Sequence, residues 1–375
     1  MCKSNILFSF FLGEEYKVFL GGCFFLIQRD EPEGLCYDFR NNRTGGRKKA
    51  RRGGGRAMEK HGQGTLKGPY YLAVEIGGTK QQMAVGTADG RIAERRQVKL
   101  GASTTAQNIL RWIKETGEEL RAAWDVQGIG VGFGGPIDPD TGIIVCSLQV
   151  EGWNQFPLHA WFQETFSLPS RVLNDTVTGG LGELYCGAGR GSKRLFYTNI
   201  GTGIGGGLYW DGGFGASSLG YAWVPDWTAQ QPGAETRLEY LCAGPFIEKR
   251  LNTPGYVTED SLLAAREKPL TCLDLAQGVE QGDPFSCQEL DRVAKTFSLG
   301  LADMLALAFP ERIVIGGGVA KMGEILFSRL RTFTRQCAYV ADVDRFQIAP
   351  SQLMDDAVLV GGLLLAGGAG AASEG

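Results

Sequence analysis

From Tyr70 onward the apolar residues arrive in short runs of strand character: YYLAVEI (70–76), QQMAVGTA (81–88) and RIAERRQVKL (91–100). The last two join through Asp89-Gly90, a dipeptide suited to a tight hairpin, so an antiparallel meander of three strands is expected. Thr104–Trp124 then spaces Ile109, Leu110, Ile113, Leu120 and Trp124 near helical intervals, and the apolar runs QGIGVGF, RVLND and LFYTNIG follow. Strands now alternate with helices, which is the pattern of an α/β protein. A second meander is read at Leu195–Ile200 and Gly206–Trp210. Helices are expected at Glu235–Leu251 and Pro284–Phe309, then a buried strand RIVIGG and a closing apolar helix near Asp356–Leu365. The order of meander followed by helices occurs twice, which suggests two related α/β lobes.

Composition narrows the class. A chain of 375 residues suggests two or three domains at about 100–200 residues each. Its 38 basic and 41 acidic residues nearly cancel, so the chain as a whole has no electrostatic hold on nucleic acid. Glycine is the outlier: 56 residues is about twice ordinary usage, with no triplet repeat, which excludes collagen and points to glycine-built loops. The nine cysteines are widely spaced and form no C-x-x-C pair, so reduced thiols and a cytoplasmic location are expected.

Residues 1–57 read differently. Residues 6–27 carry six phenylalanines, but Gly13, Glu14, Glu15 and Lys17 interrupt them, so no run is long enough to span a membrane. Arg40–Arg56 is rich in Gly, Asn and basic residues and cannot pack a core. We read residues 1–57 as a disordered extension, and its basic stretch as solvated rather than a nucleic-acid arm, since no aromatic residues interleave with the charges. Orderly periodicity begins only after Met58, where the natural protein is expected to start.

Four segments could carry chemistry. Glu75-Ile76-Gly77-Gly78-Thr79-Lys80 lies at the turn between the first two strands, where adjacent glycines let backbone N–H groups approach an anion. Gly201-Thr202-Gly203-Ile204-Gly205-Gly206-Gly207 lies at the matching turn of the second meander. Either loop alone reads equally as a tight hairpin; two at equivalent places favour a phosphate held between lobes. Neither has the spacing of a P-loop or a dinucleotide fingerprint. Asn174-Asp175 follows an apolar strand, so Asp175 is either a proton acceptor at a strand's C-terminal edge or half of a helix cap. Ile315-Gly316-Gly317-Gly318-Val319 is either a bed for adenosine or a tight strand-to-helix turn.

In this order and spacing the four segments resemble the ROK family of sugar kinases and regulators, within the actin-like ATPase superfamily, over about residues 70–367. The resemblance implies a two-lobed actin-like (ribonuclease H-like) fold with a duplicated βββαβαβα unit and a cleft between lobes. It divides the chain into residues 58–192, completed by a C-terminal helix at 355–370, and residues 193–354. It assigns Glu75, Gly77, Gly78, Thr79, Lys80, Gly201, Thr202, Gly203, Gly205, Gly316, Gly317 and Gly318 to ATP and its Mg²⁺, and Asp175 to catalysis. Gly135, Pro136, Asn154, Asn174, Asp175 and Glu239 are assigned to the sugar, with Trp153 beside them.

One departure bears on specificity. Where the family's kinases usually carry an E-x-G-H segment and a cysteine-rich zinc loop, this chain reads Ser218-Leu219-Gly220-Tyr221 and PDWTAQQPGAETRLE. With only His61 and His159 in the chain, no Cys/His zinc site is expected, and Trp223 and Trp227 are expected to fill the loop's volume as an apolar cluster. The implied activity is glucokinase-like: ATP-dependent phosphorylation of a hexose on its primary hydroxyl. A kinase for N-acetylmannosamine or fructose, polyphosphate as donor, and a catalytically silent sugar sensor stay open. A transcriptional regulator is disfavoured, because residues 1–68 show no helix-turn-helix pattern. The expected partners are a small sugar and a second copy of the chain, with no nucleic acid or membrane.

Overall fold

The computed structural model describes residues 66–368, apart from 102, 148–149 and 212, and three strand segments nearer the start. These segments, β1 (Phe11–Leu12), β2 (Glu15–Leu20) and β3 (Cys23–Gln28), pair antiparallel in chain order. They fall within the extension read as disordered, whose basic stretch lies outside the described residues.

The first large sheet contains β4 (Tyr70–Ile76), β5 (Lys80–Thr87), β6 (Ile92–Lys99), β7 (Val126–Phe133) and β8 (Ser170–Asn174), in the spatial order β6-β5-β4-β7-β8. The first three form the expected meander, turning at Gly90 with φ of +83°, while β7 and β8 run parallel to β4. Two helices cover one face, α1 (Ala106–Ala123) and α2 (Leu158–Phe166). In α1 the Thr105 hydroxyl accepts from the Asn108 N–H, and Ile109, Ile113 and Leu120 are buried against Leu72, Val74, Met83 and Val131. Each such side chain contributes roughly 1.5–3 kcal/mol by leaving water. The first half ends with α3 (Asp175–Cys186).

The second half repeats the ladder. β9 (Leu195–Asn199), β10 (Gly206–Trp210) and β11 (Gly213–Ser217) form a meander, followed by a hairpin of β12 (Trp223–Pro225) and β13 (Glu235–Arg237). Next come α4 (Leu238–Cys242), α5 (Gly244–Leu251), α6 (Cys272–Glu280), α7 (Pro284–Ala308), β14 (Arg312–Gly316), α8 (Glu324–Cys337), β15 (Gln347–Pro350) and α9 (Ala357–Ala366). The sheet order is β11-β10-β9-β14-β15, with β14 parallel to β9 and β15. The same strand order and directions in both sheets give the duplicated α/β unit.

Two readings need correction. The helix expected over Glu235–Leu251 is a strand and two helices broken at Ala243, because Pro245 in the first turn of α5 lacks an N–H and cannot continue α4. Trp223 and Trp227 do not form one apolar cluster. Trp223 is exposed, with the Arg237 guanidinium 3.9 Å from its ring centre, whereas Trp227 packs on the second core and donates from Nε1 to the Thr296 hydroxyl at 2.9 Å.

The two halves exchange their last helices. α9 packs on the inner face of the first sheet, Leu359 and Leu363 against Ala73 and Ala84, while α3 packs on the second through Leu181, Tyr197 and Tyr209. Small residues let the helices approach: a Cβ at Gly361 would lie 1.7 Å from the Thr178 carbonyl oxygen, and one at Gly130 would lie 2.0 Å from that of Gly362.

Candidate active site

The glycine turns, the N-terminus of α3 and the segment before α9 enclose a cavity of about 350 Å³. Of the residues expected from sequence, Glu75, Gly77, Gly78, Thr79, Lys80, Gly135, Asn174, Asp175, Gly201, Thr202, Gly203, Gly205, Glu239, Gly317 and Gly318 line it. Three stand apart. Pro136 is exposed and accepts from the Val145 N–H, Asn154 accepts from the Ser147 N–H, and Gly316 is the buried end of β14. Trp153 is likewise in the first core, edge-on to Phe133 and Phe156.

Asn174 and Asp175 carry both readings offered by the sequence. The Asn174 Oδ1 accepts from the N–H groups of Thr176 and Val177, a cap of about 1 kcal/mol, and its Nδ2 donates to the carbonyls of Phe133 and Gly135. That leaves Asp175 at the first turn of α3 with one oxygen held by the Thr176 N–H at 2.7 Å and the other toward Gly134. Protein surrounds this carboxylate on every side but the cavity. Loss of bulk water, with a smaller push from the Glu75 charge, raises its pKa to about 7.

Glu75, at the end of β4, is buried, and burial raises its pKa against the opposing pull of Lys80, whose Nζ lies 3.9 Å away. Gln82 donates one amide group to the Glu75 carboxylate and to the Asp355 carbonyl, which ties β5 to the segment before α9. Glu239 braces the second loop, accepting from the Ile204 N–H at 2.7 Å, and Asn199 accepts from the Gly205 N–H at 3.0 Å. The backbone N–H groups of Gly78, Thr79, Thr202 and Gly203 make no hydrogen bond to another described residue. Unpaired donors on two loops of one cavity form a ready anion site. Gly318 faces open space, and Gly317 is obligatory, with φ of +90° and the Ile200 carbonyl oxygen 2.5 Å from where a Cβ would sit.

Tyr197, Asn199, Thr176 and Asp355 also line the cavity and were not singled out from sequence. Asp355 lies between the last strand of its sheet and α9, as Asp175 lies between β8 and the body of α3, a likeness visible only once the repeat is seen in space. Its carboxylate is 2.9 Å from Lys321 Nζ, whose hydrogen bond and charge hold its pKa below the usual carboxylate value. Among the described residues no three His, Cys, Asp or Glu side chains gather so as to hold a metal ion unaided.

Residues 71–369 match the ROK family. A glucokinase of Halalkalibacterium halodurans is 32% identical over 312 residues, covering 78% of this chain and 93% of the relative. A solved ROK family glucokinase from Streptomyces griseus, in complex with glucose and AMPPNP, is 25% identical with a TM-score of 0.65, covering 79% of this chain and 99% of that one. A ROK family transcriptional regulator, a homolog of the E. coli MLC protein, shares the fold at a TM-score of 0.71 and 20% identity, covering 80% of this chain and 78% of that one.

Proposed function

The chain belongs to the ROK family, and from that premise we propose that it is an ATP-dependent hexose kinase acting on the sugar's primary hydroxyl. Support comes from the similarity to glucokinases, one of them solved with glucose and an ATP analogue. The observation that carries the reading is Asp175 on one cavity wall, beside two glycine turns whose free N–H groups face the same space. In this reading the lobes divide near residue 192, with α9 completing the first.

Four carboxylates, Glu75, Asp175, Glu239 and Asp355, line the cavity against the single ammonium of Lys80, so a bare triphosphate would meet net repulsion. Carboxylate and hydroxyl oxygens suit Mg²⁺, which binds through one or two carboxylates plus substrate phosphates rather than a complete protein cage. A nucleotide would therefore bring its own Mg²⁺, which Glu75, Thr79 and Thr202 would help to hold. The phosphates rest on the N–H groups of Gly78, Thr79, Thr202 and Gly203, and the nucleoside extends toward Gly317 and Gly318. The hexose takes the end near Gly135, Asn174 and Glu239, its primary hydroxyl at Asp175. Asp175 accepts the hydroxyl proton as the sugar oxygen attacks the γ-phosphorus in line and the bond to the ADP oxygen breaks. The backbone N–H groups of the two glycine turns spread the charge on the phosphoryl oxygens, and a Mg²⁺ ion carried by the nucleotide would add to that as a Lewis acid.

The test is ADP release from MgATP with a panel of hexoses, glucose, N-acetylmannosamine and fructose among them, each against a blank without sugar. Release that depends on one sugar is expected. No release with any sugar, while sugar binding persists, would replace the kinase with a silent sensor, a reading that Ser218 and Tyr221 would then favour.

A further inference from the structure

Two tyrosines of the second sheet, Tyr197 on β9 and Tyr209 on β10, point to the side of the sheet that faces α3. Both rings are buried, and both need glycines to fit. A Cβ at Gly180 or Gly207 would lie 2.2 or 2.5 Å from the Tyr209 hydroxyl oxygen; one at Gly316 or Gly179 would lie 2.7 or 3.5 Å from that of Tyr197. This explains Gly316, which does not reach the cavity itself: its missing side chain makes room for the Tyr197 phenol.

The two hydroxyls then differ. Tyr209 donates to the Val177 carbonyl of α3, an ordinary buried pairing. Tyr197, only 4% exposed, makes no hydrogen bond to another described residue, and it lines the cavity with Asp175, Thr176 and Gly317. The Tyr197 hydroxyl is not among the fully buried polar side-chain atoms left without a partner, so its oxygen opens to the cavity, where a bound ligand can accept from it. Burial and the charges of Glu183, Asp175 and Glu75 push its pKa up, so the group remains a neutral O–H donor throughout the working pH range.

We propose that the Tyr197 hydroxyl is a ligand-contacting donor, giving a hydrogen bond to the terminal phosphoryl group of a nucleotide bound in this cavity. The proposal rests on the kinase reading for the identity of that group, and on the structure alone for the unpartnered donor. The hydroxyl lies beside Gly179 of α3 and Gly316 of β14, on a residue that lines the cavity with Asp175 and both glycine turns, and there a neutral donor stabilises phosphoryl charge without adding a cation that would compete for Asp175.

Tyr197→Phe removes one oxygen and keeps the ring's packing; Tyr209→Phe is the structural control. In the full chain, Tyr197→Phe should lower kcat by about 10–100-fold, the scale of losing one preorganised donor. The hexose KM, the thermal midpoint and the pH at half-maximal rate should stay in place. Tyr209→Phe should lower the thermal midpoint and leave kcat within about twofold. Two results overturn the proposal: kcat of Tyr197→Phe within twofold of the parent, or an unchanged plateau with a shifted pH midpoint, which would make Tyr197 a partner of Asp175 instead. If the parent turns over no hexose, the kinase reading fails and calorimetry with Mg²⁺ and AMPPNP decides this one. A loss of affinity of about fivefold or more in Tyr197→Phe supports the contact, whereas equal affinity, or no binding to the parent, overturns it.

Discussion

Asp175 and Asp355 stand in corresponding places. Each follows the fifth strand of its sheet, each lines the cavity, and Asp175 begins, while Asp355 shortly precedes, a helix packed on the opposite sheet. Their protons behave oppositely. Asp355 has Lys321 at 2.9 Å and is held as a carboxylate, while Asp175 has no cation beside it, only the N–H and hydroxyl of Thr176 and a neighbouring Glu75, and burial raises its pKa to about 7. The repeat places two acids, and what stands next to each decides which one can take a proton near neutral pH.

Breaking each acid in turn should separate them most widely. Asp175→Asn should lower kcat by about 10²–10⁴, the range of a general base. Asp355→Asn should cost less than about fivefold, the scale of an exposed ion pair. Hexose-dependent ADP release by the two variants would show it, and equal losses would erase the distinction drawn here.

The next effect is in pH. Asp175 must be ionised to accept a proton, so kcat/KM should climb as pH rises through about 7 and level off above it. Because Glu75 is the second cause of the raised value, Glu75→Gln should move the midpoint downward in a pH–rate profile. A fixed midpoint would leave burial as the whole cause.

Stability should show the smallest difference, with opposite signs. Asp175 is protonated more readily when folded, so its ionisation opposes folding by an amount that grows from about pH 4 and levels off above 7. Asp175→Asn should therefore melt higher than the parent at pH 8, and the gain should vanish near pH 4. Asp355, with its lowered pKa, favours the folded state above about pH 4 and loses that contribution as pH falls through its folded value. Asp355→Asn should melt slightly lower at pH 7. Thermal scans at both pH values test the pair.

Much of this was legible beforehand. Alternation and the Asp89-Gly90 turn located β4 to β6, and the glycine runs with Asn174-Asp175 located the loops and the acid of the cavity. What escaped depends on contacts between distant segments. Tyr197 looks like one more apolar strand residue until its hydroxyl is seen without an acceptor. Asp355 is marked by no local pattern, because its cation comes from the segment after β14. Asn154 and Pro136 were assigned to the sugar by likeness, yet their contacts are with their own loop. Glu239 reaches the cavity, and its firmest bond is to the Ile204 backbone, which no spacing along the chain announces.

The exchanged helices also set a timetable for synthesis. The inner face of the first sheet, with Ala73, Ala84 and Gly130, is finished by Leu359, Gly362 and Leu363, which are synthesised only after every strand of both sheets. A nascent chain that has completed β8 still shows that face bare, and α3 has as yet no second sheet to rest on. Neither half can close as an independent unit during translation, so the floor of the cavity forms in one late step when α9 packs beside α3.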